Sequence, residues 1–201
     1  MPSPQKEPSI WNILAKTFEG HYIEKQSYHS DKADLRFKDF QILCDYYTAY
    51  RTVGQTTVQK TYTRMVCPYR SANPFFFQIY PQGFLDRIGT LLGAQDILIG
   101  NEAFDRAFII KGNDPYKITS LLNDHTIQDL IQTQRGLHIE TSDQHGIWED
   151  KLPEGTYELS LYLEGALDME EQLKALYLLC TKLLTQLLKI DAIHPIYYYS
   201  Q

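Results

Sequence analysis

The chain has 201 residues, 43% of them hydrophobic and 22% charged, with a formal net charge of -6. That length and composition suffice to bury a core, which excludes a disordered tail or a collagen-like rod. The acidic balance argues against a role on nucleic acid, where phosphate neutralisation needs a dense Lys and Arg surface, and against attraction to anionic lipid.

Residues 1–8 carry three prolines among polar residues, which predicts a flexible start ahead of a single α+β domain over residues 9–201. Ser9 is placed to cap a helix running to about Glu19, with Ile10, Trp11, Leu14 and Phe18 on one face and Gly20 as its stop. From about Leu35 to Pro68 the spacing becomes that of strands: Phe40, Ile42, Cys44, Tyr46, Thr48 and Tyr50 alternate with Gln41, Leu43, Asp45, Tyr47 and Ala49. Gly54 supplies a turn, so this stretch predicts a long hairpin. Pro74 and Pro81 bound a third strand, PFFFQIYP.

Phe84 to Leu92 has helical spacing and stops at Gly93. Ile97–Ile99 and Ala107–Ile110 read as short buried strands with FDR between them. Asp114 is positioned to cap a helix whose first residue is Pro115, where a missing amide proton costs least, and Asp124 to cap a second through Gln134. Strands return at LHIET, at IWED and at YELSLYLE, the last with Tyr157, Leu159, Leu161 and Leu163 on an apolar side and the other side expected to face water. Asp168 to Ile190 forms the last helix, with acids at its start, lysines near its end and a leucine stripe wide enough to cover a sheet. The fold class is therefore α+β: a mostly antiparallel sheet in two strand groups, helices on one face, and a long C-terminal helix closing it.

Reactive chemistry is sparsely signalled. The segment FDRAFIIKGND offers Asp105 as a base or metal carboxylate, with Arg106 and Lys111 to hold an anion, but it brings no second catalytic residue type with it. The simpler reading buries Phe104 and Phe108 as core filler. His125, His138 and His145 lie in an acidic region with Asp124, Glu140, Asp143, Glu149 and Asp150, yet their spacings match no metal-binding pattern. Cys67 stands near Arg64, which would favour a thiolate, and also suits a small apolar place at a strand end. Tyrosines and bases concentrate in the hairpin region, and Tyr62 and Arg64 mark it as a recognition surface, both types offering large contacts with few moving parts. The consecutive tyrosines of the tail HPIYYYSQ are expected to dock rather than dangle.

The segments YTRMVCPY, GAQDILIGNEAFDRAFIIKGND and ITSLLN, taken in that order, resemble an uncharacterised bacterial family, a domain of unknown function. They are also similar to the soluble part of bacterial proteins that carry transmembrane helices ahead of a related FD..F segment. The resemblance covers roughly residues 35–190 and implies a mixed α+β fold, supplying no activity, cofactor or catalytic residue. This chain lacks the spans of those membrane-linked relatives.

Together these features predict a soluble bacterial protein that serves as a non-catalytic protein-binding or scaffolding module, requiring no cofactor, with a protein partner or self-association expected. The alternative is an enzyme acting on a small anionic substrate near Asp105, Arg106 and Lys111. Cys44, Cys67 and Cys180 form no disulfide framework, the opening residues lack a secretory signal, and no apolar run reaches the length of a membrane span; a cytoplasmic setting is expected.

Overall fold

The structure is a computed structural model that describes residues 8–25, 30–83, 96–143 and 152–196. Helix α1 (Ile10–Thr17) turns Trp11, Leu14 and Ala15 inward. The chain then leaves α1 through Gly20, where an added Cβ would meet the Asp34 carbonyl oxygen at 2.5 Å and Leu35 Cδ2 at 2.6 Å. Only glycine lets the backbone pass this close to the neighbouring strand. Strands β1 (His21–Ile23) and β2 (Lys32–Phe37) follow.

β3 (Phe40–Val53) and β4 (Thr56–Arg70) form the predicted hairpin, turning at Gly54 with φ +63°. β5 (Phe77–Pro81) is the predicted third strand. α2 (Glu102–Ala107) leads into β6 (Phe108–Gly112). The caps read from the sequence are present in the next two helices. Asp114 accepts hydrogen bonds from the Tyr116 and Lys117 amides at the head of α3 (Pro115–Leu122), and Asp124 accepts from the Thr126 amide at the head of α4 (His125–Thr133). β7 (Leu137–Ser142), β8 (Thr156–Glu164) and α5 (Glu170–Lys189) complete the order.

All eight strands join one antiparallel sheet in the order β1-β2-β3-β4-β8-β7-β5-β6. The two predicted strand groups are thus stitched together where β8 pairs with β4. One face of the sheet carries Leu35, Ile42, Cys44, Met65, Cys67, Ile79, Ile110, Ile139, Leu159 and Leu161. That face shares a single core with Trp11 of α1, Phe104 of α2, Ile118 of α3, Ile127 of α4 and the leucine stripe of α5.

Four local readings differ from the structure. Ser9 stands at the N-cap of α1, but its side chain makes no capping hydrogen bond. The strand region begins at Lys32 and is broken by a turn at Lys38, φ +52°, with no glycine to announce it. Ile97–Ile99 is not a strand: Asp96 makes one bridge to Lys111, the Ile97 amide bonds to the Ile110 carbonyl at 2.8 Å, and FDR lies within α2. β8 is buried on both sides, not half-buried, since Glu158, Ser160 and Tyr162 are as inaccessible as its leucines. The predicted helix at Phe84–Leu92 with its Gly93 stop, the IWED strand, residues 1–7 and the Tyr197–Tyr199 tail lie outside the described residues.

Phe104 is fully buried and Phe108 nearly so, and their rings stack at 4.8 Å, joining α2 and β6 to the core. Phe104→Ala is expected to lower unfolding free energy by about 3–5 kcal/mol, as for other large buried aromatics, measured as a shift of the urea midpoint at unchanged slope.

Candidate functional site

The face of the sheet turned away from the described helices is built in rungs across the strands. Antiparallel register sets Lys32 opposite Asp45, Asp45 opposite Arg64, Arg64 opposite Tyr162, and Tyr162 opposite His138. One polar rung therefore crosses five strands. All five residues are at most 6% exposed. The next rung runs from Leu43 through Val66, Ser160, Glu140 and Gln78 to Lys111 at the β6 edge.

Within the first rung Arg64 donates from Nε and Nη2 to the two carboxylate oxygens of Asp45, each at 2.8 Å, and Lys32 Nζ stands 3.1 Å from Asp45 Oδ2. The guanidinium also lies 4.7 Å from the centre of the Tyr47 ring. Burial works against the Asp45 charge, but the Arg64 hydrogen bonds, the Arg64 charge and the Lys32 charge outweigh it and hold the carboxyl below its usual range. In the second rung Gln78 Nε2 donates to Glu140 Oε2 at 3.0 Å, and His138 Nε2 is 3.4 Å from the same oxygen.

Glu158, one residue pair further along β8, is treated differently. Ser160 Oγ donates to its Oε1 at 3.3 Å, while its Oε2 has no partner among the described residues. Burial dominates and pushes the carboxyl up to about 8. Tyr162 is also pushed up by burial.

The sequence-derived candidates fall into separate places. Tyr62 and Arg64 are in the interior, 0% and 6% exposed. Lys111 belongs to the Arg64 face but stands at its far edge, opposite Gln78. Asp105 accepts from the Ile99 and Gly100 amides, one on each oxygen at 3.0 Å, and so clamps the loop ahead of α2. Arg106 is exposed. Among the described residues no hydrogen bond or ion pair joins Asp105, Arg106 and Lys111. The histidines are similarly dispersed: His125 opens α4 and His138 sits in the first rung, while His145, Glu149 and Asp150 lie outside the described residues. Among the described residues no group of three or more potential ligands could hold a metal ion. Cys67 is fully buried, and burial raises its thiol well above the ordinary value, so a thiolate is disfavoured there.

The sequence predicts the long hairpin but not how far it outreaches the strands beside it. β2 stops pairing at Asp45 and β8 at Thr63, yet β3 and β4 continue to Val53 and Thr56. Residues 47–62 thus run on beyond the neighbouring strands as a two-stranded arm about 20 Å long, with Tyr62 still buried at its root. Gly165 and the Lys60–Glu164 ion pair, 2.9 Å, brace its root. Beyond the root Tyr50 is 70% and Val58 53% exposed.

Comparison with protein-family models and with curated proteins gives no match. Among solved structures, the crystal structure of the mycobacterial trehalose monomycolate transport factor A, TtfA, matches over 94% of this chain and 96% of that chain, with a TM-score of 0.54 at 6% sequence identity. The two chains share a fold.

Two outcomes follow from the buried polar face. Asp45→Ala alone removes the carboxylate that Arg64 grips with two hydrogen bonds in the interior and is expected to cost about 3–5 kcal/mol, whereas Lys32→Met, Asp45→Leu and Arg64→Met together should recover most of that loss in a urea titration. Glu158 has the opposite pH sign to Asp45. Because folding raises its pKa from 4.5 to about 8, its contribution is full below pH 4.5 and is lost as pH rises through 8. Asp45, held low in the folded state, contributes above its ordinary 3.8 and loses that contribution as pH falls. Replacing Glu158 by Gln should therefore abolish the fall in stability between pH 4.5 and 8 while leaving the acid limb in place, read from urea midpoints across that window.

Proposed function

We propose that this chain is a non-catalytic accessory module that engages a protein partner through the projecting half of the β3–β4 hairpin, in the cytoplasm. The observation that carries the reading is the arm itself. A two-stranded ribbon surrounded by water is marginally stable, and ribbons become secure when a third element packs on or pairs with them. Tyr50 and Val58 give this one the aromatic and β-branched side chains that such a contact uses.

Two further observations support the reading. The carboxylate with most promise for chemistry, Asp105, spends both oxygens on backbone amides, which is a structural task. The fold is shared with a protein named as a transport factor, a description that fits an accessory role rather than catalysis. For the compartment, Cys44, Cys67 and Cys180 are all free and buried, as expected where thiols stay reduced. Among the described residues no helix is long and apolar enough to cross a membrane.

A photo-crosslinking residue at Val58, compared with one at Tyr116, tests this assignment in the native host. Tyr116 is 87% exposed on α3, away from the arm, and serves as the control. The expected result is a discrete protein adduct from position 58 alone, lost when residues 49–60 are replaced by a tight turn. Equal adducts from both positions, or none from the arm, would overturn it.

A further inference from the structure

The arm leaves the body of the sheet at a row that is held on both faces. On the polar face Tyr47 and Tyr62 stand opposite each other, and the Tyr162 ring meets both edge-on, with centroids 5.9 Å and 6.3 Å away. The Arg64 guanidinium lies 4.7 Å from the centre of the Tyr47 ring. Ring contacts of this kind resist separation but have broad geometric tolerance.

The grip on the helical face is directional. After β8 the chain turns at Gly165, φ +98°, on its way to α5. The Gly165 amide donates to the Thr61 carbonyl at 2.9 Å. Thr63 Oγ1 donates to the Gly165 carbonyl at 2.8 Å and accepts from the Leu167 amide at 2.9 Å, so one hydroxyl joins β4 to the connector twice. From β3 the Tyr46 hydroxyl donates to the Leu167 carbonyl. Tyr46 and Thr63 are register partners, so the connector is tied to both strands of the hairpin at the same height. Leu167 also packs against the core.

Thr63 itself is 0% exposed, and the residues that follow it on the same side of β4, Met65 and Cys67, are apolar core residues. Valine would fill such a place with the same shape and an equal preference for strand. What threonine adds is the hydroxyl, and both of its bonds go to the connector. Tilting the arm at its root therefore requires these bonds to break or the connector to follow. The connector leads into α5, whose first turn is fixed to α1 where Thr17 Oγ1 donates to Glu170 at 2.8 Å.

We infer that Thr63 is a positioning residue for the arm: through its hydroxyl the β8–α5 connector fixes the direction in which the arm leaves the sheet, and the partner meets a surface aimed in advance. The inference rests on the partner-binding reading above and adds how the arm is presented. Presetting the direction removes the ordering cost that a loose ribbon would pay on contact.

The test uses the full chain with spin labels on Val58→Cys and Tyr116→Cys, both exposed positions, while Cys44, Cys67 and Cys180 are buried away from the reagent. The expected distance distribution between the labels is single and narrow. Thr63→Val should widen it about twofold and cut the photo-crosslinked adduct at position 58 about fivefold, the factor that one ordinary hydrogen bond sets in an equilibrium. Thr63→Ser, which keeps the hydroxyl, should restore both readouts. Tyr46→Phe removes only the bond from β3 and should widen the distribution in the same way, which guards against a Thr63→Val protein that fails to fold. Urea midpoints separate aim from stability: a threonine that merely fills the core would lower the midpoint in Thr63→Val with the distance distribution and the adduct unchanged. That result, or a broad distribution in the parent protein, would overturn the inference. A narrow parent distribution that Thr63→Val widens, with no adduct at position 58 in any variant, would remove the partner-binding reading and leave the connector's hold on the arm standing.

Discussion

Arg64 lies inside the sheet because Asp45 meets two of its N–H groups at once. A buried guanidinium without a matched carboxylate is prohibitively desolvated, and a carboxylate pressed by two cations without the fork geometry gains too little to compensate. The strand register supplies that match. Lys32, Asp45 and Arg64 fall on consecutive strands at the same height, so the ion cluster and the alignment of β2, β3 and β4 specify one another. A slip of one residue would send these charges into the leucine-lined core and bring apolar side chains to their place.

The sheet is consequently two-sided in character. Its helical face is held by non-directional burial, with α5 laying six buried leucines and Cys180 against the core in a manner tolerant of small shifts. Its other face is held by directional bonds, which penalise any departure from a single geometry. The long hairpin joins these regimes to a third. Near its base both faces are enclosed, and toward its tip Tyr50 and Val58 are in water. One pair of strands thus provides a rigid root and a free end, an arrangement suited to presenting a surface without loosening the core.

Local chemistry was legible in the sequence and long-range consequence was not. Asp114 and Asp124 announced α3 and α4 because a cap acts on amides two and three residues away, and Gly54 announced its turn because few other residues accept that φ. The Lys38 turn was hidden for the same reason reversed: a lysine held at positive φ carries no local mark. Asn101 accepts from the Ala103 and Phe104 amides and so caps α2, but a six-residue helix between two apolar runs leaves little periodicity to read. Burial of the second face was the larger omission. Alternation of Glu158, Ser160 and Tyr162 with leucines ordinarily signals a wet side, and only the register that aligns Arg64 with Tyr162 and Glu140 with Ser160 shows a polar interior. As for the candidates, Asp105 was visible as an unusual carboxylate, while its duty to the Ile99 and Gly100 amides depends on a loop shape that spacing does not encode.

The strand order has a consequence for how the molecule comes into being. β4 leaves the ribosome well before β8, yet β8 and β7 lie between β4 and β5 in the finished sheet. The early half must therefore wait with the inner side of β4 unpaired while roughly half the polypeptide is still being made, and Arg64 must wait for Tyr162. Nascent chains of this topology are exposed to mispairing for as long as translation separates the two strands, and pausing or chaperone occupancy in that interval falls where the architecture is most in need of it.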